Sequence, residues 1–208
     1  VIEDNIESDM FKKTVMTMMS EHVALDMDDL LVNGDKTSTD QLLSVLDGML
    51  VTATSHVVNA GVAPINKSIL KAAVKSMPSK YNRNKAKQRF FTSEDAYTDY
   101  QDYLADRATV VGDKFLTEDA PIRYASRPII SIPVMPDNLG VANNCTNILF
   151  TDPKNARWGI WRKVKVDTDR DITTGEWLMV VTVRCGFVWK EQDAVVKVTN
   201  VLSLIHIS

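Results

Sequence analysis

Asp167, Asp169 and Asp171 fall on alternate positions and imitate the D-x-D-x-D opening of a calcium loop, whose carboxylates would surround a hard cation. Such a loop needs glycine at its sixth position for a tight turn and a bidentate glutamate at its twelfth. Ile172 and Leu178 stand there, so the run reads as a charged hairpin connection. Phosphate-cradling loops have no support either. The eight glycines never come closer than 11 positions apart, which excludes G-x-G-x-x-G and G-x-x-x-x-G-K. No G-x-S-x-G elbow occurs. His22, His56 and His206 fall on a helix, a helix end and the tail, with no recurring ligand spacing, and are read as incidental. Cys145 and Cys185 lie 40 apart, which is neither a zinc spacing nor a disulfide framework, and are expected as buried free thiols. No catalytic, cofactor-binding or metal-ligating residue is expected, and no enzyme activity.

Two clusters of charge remain. Ser79 to Arg89, SKYNRNKAKQR, sets Lys80, Arg83, Lys85, Lys87 and Arg89 around Tyr81. Cations interleaved with an aromatic suit a single-stranded nucleic-acid groove; a solvated loop or a protein interface uses the same residues. A net charge of -3 and a pI near 5.6 argue against a dedicated duplex-binding protein. Asp26, Asp28 and Asp29 carry the opposite sign near the end of a helix pattern, where the carbonyl end disfavours negative charge. They form a solvated acidic face or one that a basic partner covers. These eight residues are the candidate interface positions, and they become subunit-interface positions under the resemblance given below.

The element that must position the acidic trio is the stretch Val1 to Asn33. It lacks Pro and Gly, and Ile6, Met10, Val15, Met19, Val23, Met27 and Leu30 recur at helical steps. Glu3, Asp4, Glu7 and Asp9 suit its start, and Gly34 is expected as a left-handed cap. About 30 residues make a rod on the order of 45 Å long, a spine more than a core filler. The chain opens at Val inside this pattern and is read as a fragment whose N-terminal part is missing. With 45% hydrophobic and 25% charged residues, 208 residues bury a real core as one large or two small domains. No run of 18 apolar residues exists and the start has no signal pattern, so no membrane partner is expected.

Gln41 to Asn59 resumes a helical pattern, and Gly61 with Pro64 marks a turn and a boundary. Asn66 caps a helix through Met77, and Ser93 caps another whose Ala96, Tyr97, Tyr100, Tyr103 and Leu104 line one side. In APIRYASRPIISIPVMP, Pro133 demotes its strand to an edge or a bulged crossing. Asp152-Pro153-Lys154-Asn155 has type I turn chemistry. Glu176 to Lys190 alternates Trp177, Met179, Val181, Val183, Cys185, Phe187 and Trp189 on one side, with Leu178, Val180 and Val188 on the other. Both faces are therefore expected to be covered, one of them by the opening rod.

The order of the pieces carries a resemblance. A spine helix ending in LLVNGD, then RFFTSEDAYTDYQDYLADR, PIRYASRPIISIPVMPD, NILFTDPKNARWGIWRKVKVDTDRD and EWLMVVTVRCGFVWKEQDAVVKV resembles the major capsid protein of tailed bacteriophages, the Hong Kong 97 type. The likeness covers residues 1–201 and rests on co-linearity and on the segments TDPKN-x-x-x-GI-x-R and TDRD. It implies an α+β fold, with the spine helix packed on an antiparallel sheet in a peripheral domain (1–60 and 137–201) and an inserted mixed α/β axial domain (61–136). It also implies a virion protein, assembled in the bacterial host cytoplasm into hexamers and pentamers of an icosahedral head around double-stranded DNA. The implied partners are copies of itself, scaffold and portal proteins, and packaged DNA touched non-specifically through phosphate. No cofactor is implied. The arm and extended loop of that family would precede Val1, and LSLIHIS, residues 202–208, is expected to be a non-native tail. The alternative function is a nucleic-acid-binding module built on segment 80–89.

Overall fold

A computed structural model describes residues 9–105, 122–170, 173–174 and 177–203. In chain order it contains α1 (Asp9–Asn33), α2 (Met49–Thr52), β1 (His56–Pro64), α3 (Lys67–Ser76), β2 (Arg89–Thr92) and α4 (Glu94–Ala105). There follow β3 (Arg123–Tyr124), β4 (Arg127–Ser131), β5 (Cys145–Thr151), β6 (Ala156–Arg170), β7 (Trp177–Trp189) and β8 (Val196–Leu202). Six strands form one sheet in the order β1-β8-β5-β2-β4-β3, and β6 with β7 forms a separate two-stranded sheet. The α+β class holds. The large sheet is mixed, however: β1 with β8 and β2 with β4 run parallel, and the remaining pairs antiparallel.

The rod is present from Asp9 on; Val1 to Ser8 lie outside the described residues. Val15, Met19, Val23 and Met27 form its half-buried stripe, and Leu30 is its first fully buried side chain among those described. Gly34 ends the helix for a reason other than the one expected. It has no positive φ. A Cβ there would stand 2.5 Å from both the Leu30 and Leu46 carbonyl oxygens, so the residue is glycine because two backbone segments cross against it. Gly48 N–H donates to Gly34 O at 2.8 Å and closes that crossing. The loop between them is tied by Asp35, held below the usual carboxylate range by the hydroxyl and amide of Thr37. Asp47 is lowered likewise by the amide and ammonium of Lys36. Depressed values mean that these contacts act above the unfolded carboxylate pKa and weaken as pH falls through the folded one.

The helix expected over Gln41 to Asn59 is not formed. Leu43–Val45 is a 3-10 turn, α2 is only four residues, and His56 starts a strand rather than ending a helix. Gly48 interrupts the pattern, and the β-branched Val57 and Val58 gain a parallel partner in Lys197 and Val198. The expected turn at Gly61 is a bulge inside β1, with Gly61 and Val62 at φ 68° and 57°, after which Ala63 and Pro64 pair again with Val201 and Leu202. The boundary drawn after residue 60 thus falls within a strand, and the sheet takes strands from both sides of it. Leu202 is paired and Ser203 is buried, so the tail drawn from residue 202 begins inside β8; residues 204–208 are not described.

Elsewhere local chemistry and structure agree. Asn66 accepts from the amides of Ser68 and Ile69 at 2.9 and 3.1 Å. Asn66→Ala is expected to cost about 1 kcal/mol, seen as a lower urea midpoint with an unchanged slope. Ser93 Oγ accepts from Ala96 N, and Asn155 N donates to Asp152 O across the expected turn. Pro133 lies past the end of β4, which is second from the sheet edge because β3 covers it. The β3–β4 turn places Ala125 and Ser126 at φ 48° and 67°, the signs a type I′ hairpin needs.

The core has two clusters, one on each face of the sheet. Ile65, Leu70 and Ala73 pack with Phe90, Ile148, Phe150, Val196 and Val198. Phe90 and Phe150 stack at 4.4 Å. On the opposite face, Leu149 meets Val32, Leu50, Ala53, Met135, Trp189 and Val195. This second cluster is where the last turn of α1 and the base of the β6–β7 hairpin meet the body.

Candidate assembly surfaces

The expectation that both faces of β7 are covered does not hold. Its odd-numbered side chains from Met179 to Phe187 are half-buried and Trp189 buried, but Leu178 and Val188 are each 60% exposed. Across the hairpin Trp161 is 90% exposed. The reason is architectural: among the described residues β7 has β6 as its sheet neighbour and no third strand, and α1 seats on the body through its final turns. An isolated two-stranded hairpin is marginal in water. The rod and the hairpin therefore each keep one half-buried face and leave apolar side chains of the other unburied.

The acidic trio lies near the seated end of α1. Asp26 and Asp28 are exposed, while Asp29 is half-buried and accepts from Asn33 Nδ2 at 2.6 Å. The cationic segment is a surface loop. Lys80 Nζ donates to the Tyr81 hydroxyl at 3.2 Å, which holds the ammonium pKa above its usual value, and that hydroxyl donates to Glu191. Arg83, Lys85 and Lys87 are exposed, and Arg89 donates to Ala86 O at 3.0 Å. The ion pairs among the described residues are Lys36–Asp47 and Lys165–Asp167, so the fold does not join the two candidate clusters to each other.

The loop has an anchor that sequence reasoning missed. Arg127 is 2% exposed and donates to Gln88 Oε1 at 2.7 Å, to Ala125 O at 3.1 Å and to Asn82 Oδ1. Its guanidinium lies 5.6 Å from the Phe150 ring, and burial lowers its pKa. Alternation was the available signal, because position 127 shares a strand face with buried Ile129. A second missed group is on the hairpin, where Arg162 pairs directly with Arg184. Other ionisable groups bear on structure: Lys197, lowered by burial, donates to Leu50 O at 2.8 Å, and burial raises the Cys185 thiol. Of the expected calcium mimic, Asp167 and Asp169 are strand residues facing Val180 and Leu178, and Asp171 is outside the described residues. A cleft of about 830 Å³ between the start of α3 and α4 is rimmed by Lys67, Lys71, Asp99 and Asp102.

The chain matches the Phage capsid family over residues 6–200. It is 34% identical over 209 residues to the putative prophage capsid protein YqbE of Bacillus subtilis (strain 168), a match that takes in 96% of this chain and 65% of that one. The chain thus spans just under two thirds of that relative's length. Among solved structures, the capsid of an empty GTA particle has a TM-score of 0.66 at 15% identity, covering 94% of this chain and 68% of that chain. The satellite phage P4 procapsid, solved with its size determination (Sid) protein, gives 0.63 at 12% identity, covering 97% and 71%. At such identities the structures speak for the fold. The family match extends over nearly the whole chain, and by it the chain belongs to the phage capsid family, whose major capsid proteins are structural.

Proposed function

We propose that this chain is the shell-forming part of a major capsid protein that assembles into hexamers and pentamers of an icosahedral phage head enclosing double-stranded DNA. The observation that carries the reading is the unburied apolar surface of α1 and of the β6–β7 hairpin, Trp161 above all. Neighbouring copies supply the cover that the described residues do not give to the outer face of either element. Segments 1–60 and 137–201 form the peripheral part and 61–136 the axial part, joined by the sheet they share. Asp26, Asp28 and Asp29, with Lys80, Arg83, Lys85, Lys87 and Arg89, lie at subunit contacts. Exposed pairs contribute about 0–1 kcal/mol each, so their role is register and rejection of wrong contacts. Scaffold and portal proteins are the further partners, DNA is met through phosphate alone, and assembly takes place in the host cytoplasm.

Electron microscopy of the full coding region tests this: closed shells are expected. Trp161→Glu is expected to leave the thermal midpoint of the isolated chain unchanged and to abolish shell formation, because an ionised side chain cannot be covered there without a partner. Shells that form equally well with Trp161→Glu would overturn the role given to the hairpin. Salt-sensitive DNA binding through segment 80–89 by a chain that never associates would replace the reading with a nucleic-acid-binding module.

A further inference from the structure

Two placements of charge in this chain are unfavourable by themselves, and they have opposite signs. In the hairpin, Arg162 and Arg184 stand directly across from one another. Like charges facing across a strand pair destabilise it. Arg157 and Lys165 fall on the same face, opposite Val188 and Thr182. Lys165 has Asp167 at 2.7 Å, whereas neither Arg162 nor Arg184 has an ion pair among the described residues. On α1, the side away from the half-buried stripe carries Met18, Glu21, Leu25 and Asp28 at steps of three, four and three. Met18 and Leu25 are 55% and 61% exposed, Glu21 and Asp28 are exposed, and no basic residue lies in the last turn to offset the carboxylates.

We infer that the outer stripe of α1 in one copy docks on the Arg162–Arg184 face of the hairpin in a second copy. Asp28 and Glu21 meet the arginines, Leu25 lies over the aliphatic stems of those arginines, and Met18 reaches a valine that flanks them. Each surface relieves the other's charge, which no ion pair among the described residues does. The spacing fits: Asp28 and Glu21 lie roughly 10 Å apart along the helix, within reach of two facing arginines, and Met18 falls about 10 Å beyond their midpoint, near a valine about 13 Å along the strand from Arg184. A second copy fits better than a phosphate backbone. The arginine face is interleaved with exposed valines that phosphate would leave wet, and the stripe it answers to is on the same chain. Because the two surfaces are different, the contact is heterologous: each copy offers its helix to one neighbour and its hairpin to another, which is the arrangement of a ring. This inference rests on the self-assembly reading and names its partner surfaces.

The test uses two variants of the chain, Arg162→Glu with Arg184→Glu, and Glu21→Lys with Asp28→Lys. Each alone is expected to weaken association on the order of tenfold in sedimentation velocity. Mixed one to one, they are expected to recover it. The first variant's native helix then meets the second's native hairpin, and the introduced lysines meet the introduced glutamates. Asp28→Lys puts a cation toward the C-terminal end of α1, which suits the helix dipole, and lysine is a good helix former at mid-helix position 21, so an unchanged circular dichroism spectrum is expected. If the wild-type chain associates but neither variant is weakened, or the mixture stays as weak as its parts, the docking is overturned. A wild-type chain that is monomeric at every concentration overturns the shell reading, and the docking with it.

Discussion

Arg127→Ala is expected to destabilise the fold by about 4 kcal/mol, read as a lower urea midpoint. The side chain is 2% exposed in the second strand from the sheet edge, and its partners among the described residues are carbonyl oxygens of Gln88, Ala125 and Asn82. A guanidinium cannot shed its proton, so burial leaves a charge that these oxygens and the Phe150 ring must satisfy. Removing it empties the volume of a long side chain and strands the buried Gln88 acceptor at once. Arg127→Met separates the two effects. It restores most of the volume, and a residual loss of about 1–3 kcal/mol is expected from the unsatisfied oxygens alone. A methionine variant as stable as wild type would show that the polar anchor contributes nothing net. Either substitution should also loosen segment 80–89, since Asn82 and Gln88 lie within it, and amide exchange there should rise ahead of the rest of the sheet.

What the sequence disclosed was what local chemistry decides. The rod from Asp9, the Asn66 and Ser93 caps and the Asp152–Asn155 turn each depend on residues within a few positions of one another. His56–Pro64 is different. Its strand state comes from pairing with a partner about 140 positions away, which no window over Gln41 to Asn59 contains. The hairpin shows the converse limit. Alternation identified β7 and its more buried side, but the amount of cover on each face depends on what stacks there. An apolar strand looks the same whether its cover comes from its own chain or from another. The acidic and cationic clusters are visible as runs of charge in the sequence, whereas the pairing of Arg162 with Arg184 is not. Their significance lies in register: five residues on β6 but only four on β7 separate the arginines from the hairpin base, and only the bulged pairing brings them face to face.

Gly34→Ala is expected to cost about 3 kcal/mol, at the upper end for overpacking. A Cβ there meets the Leu30 and Leu46 carbonyl oxygens at 2.5 Å each, and both obstacles are backbone, which cannot rotate aside. Gly61 provides the contrast. Its φ is 68° but nothing lies within 4 Å of a Cβ, so Gly61→Ala carries only a conformational cost of about 1 kcal/mol. The stability difference between the two is one half of the prediction. The other concerns geometry, because the crossing at Gly34 and Gly48 sets the direction in which α1 leaves the body, close to its buried Leu30 and Val32. Over a rod of roughly 38 Å, a tilt of about 10° at the base carries the far end on the order of 6 Å, about one helical turn. A contact that uses the outer stripe of α1 would then be out of register with its partner. Gly34→Ala is therefore expected to lose association even at temperatures where the chain is fully folded, while Gly61→Ala associates as wild type does. Equal association by both variants, with only the midpoints differing, would show that the direction of the rod is not what the crossing serves.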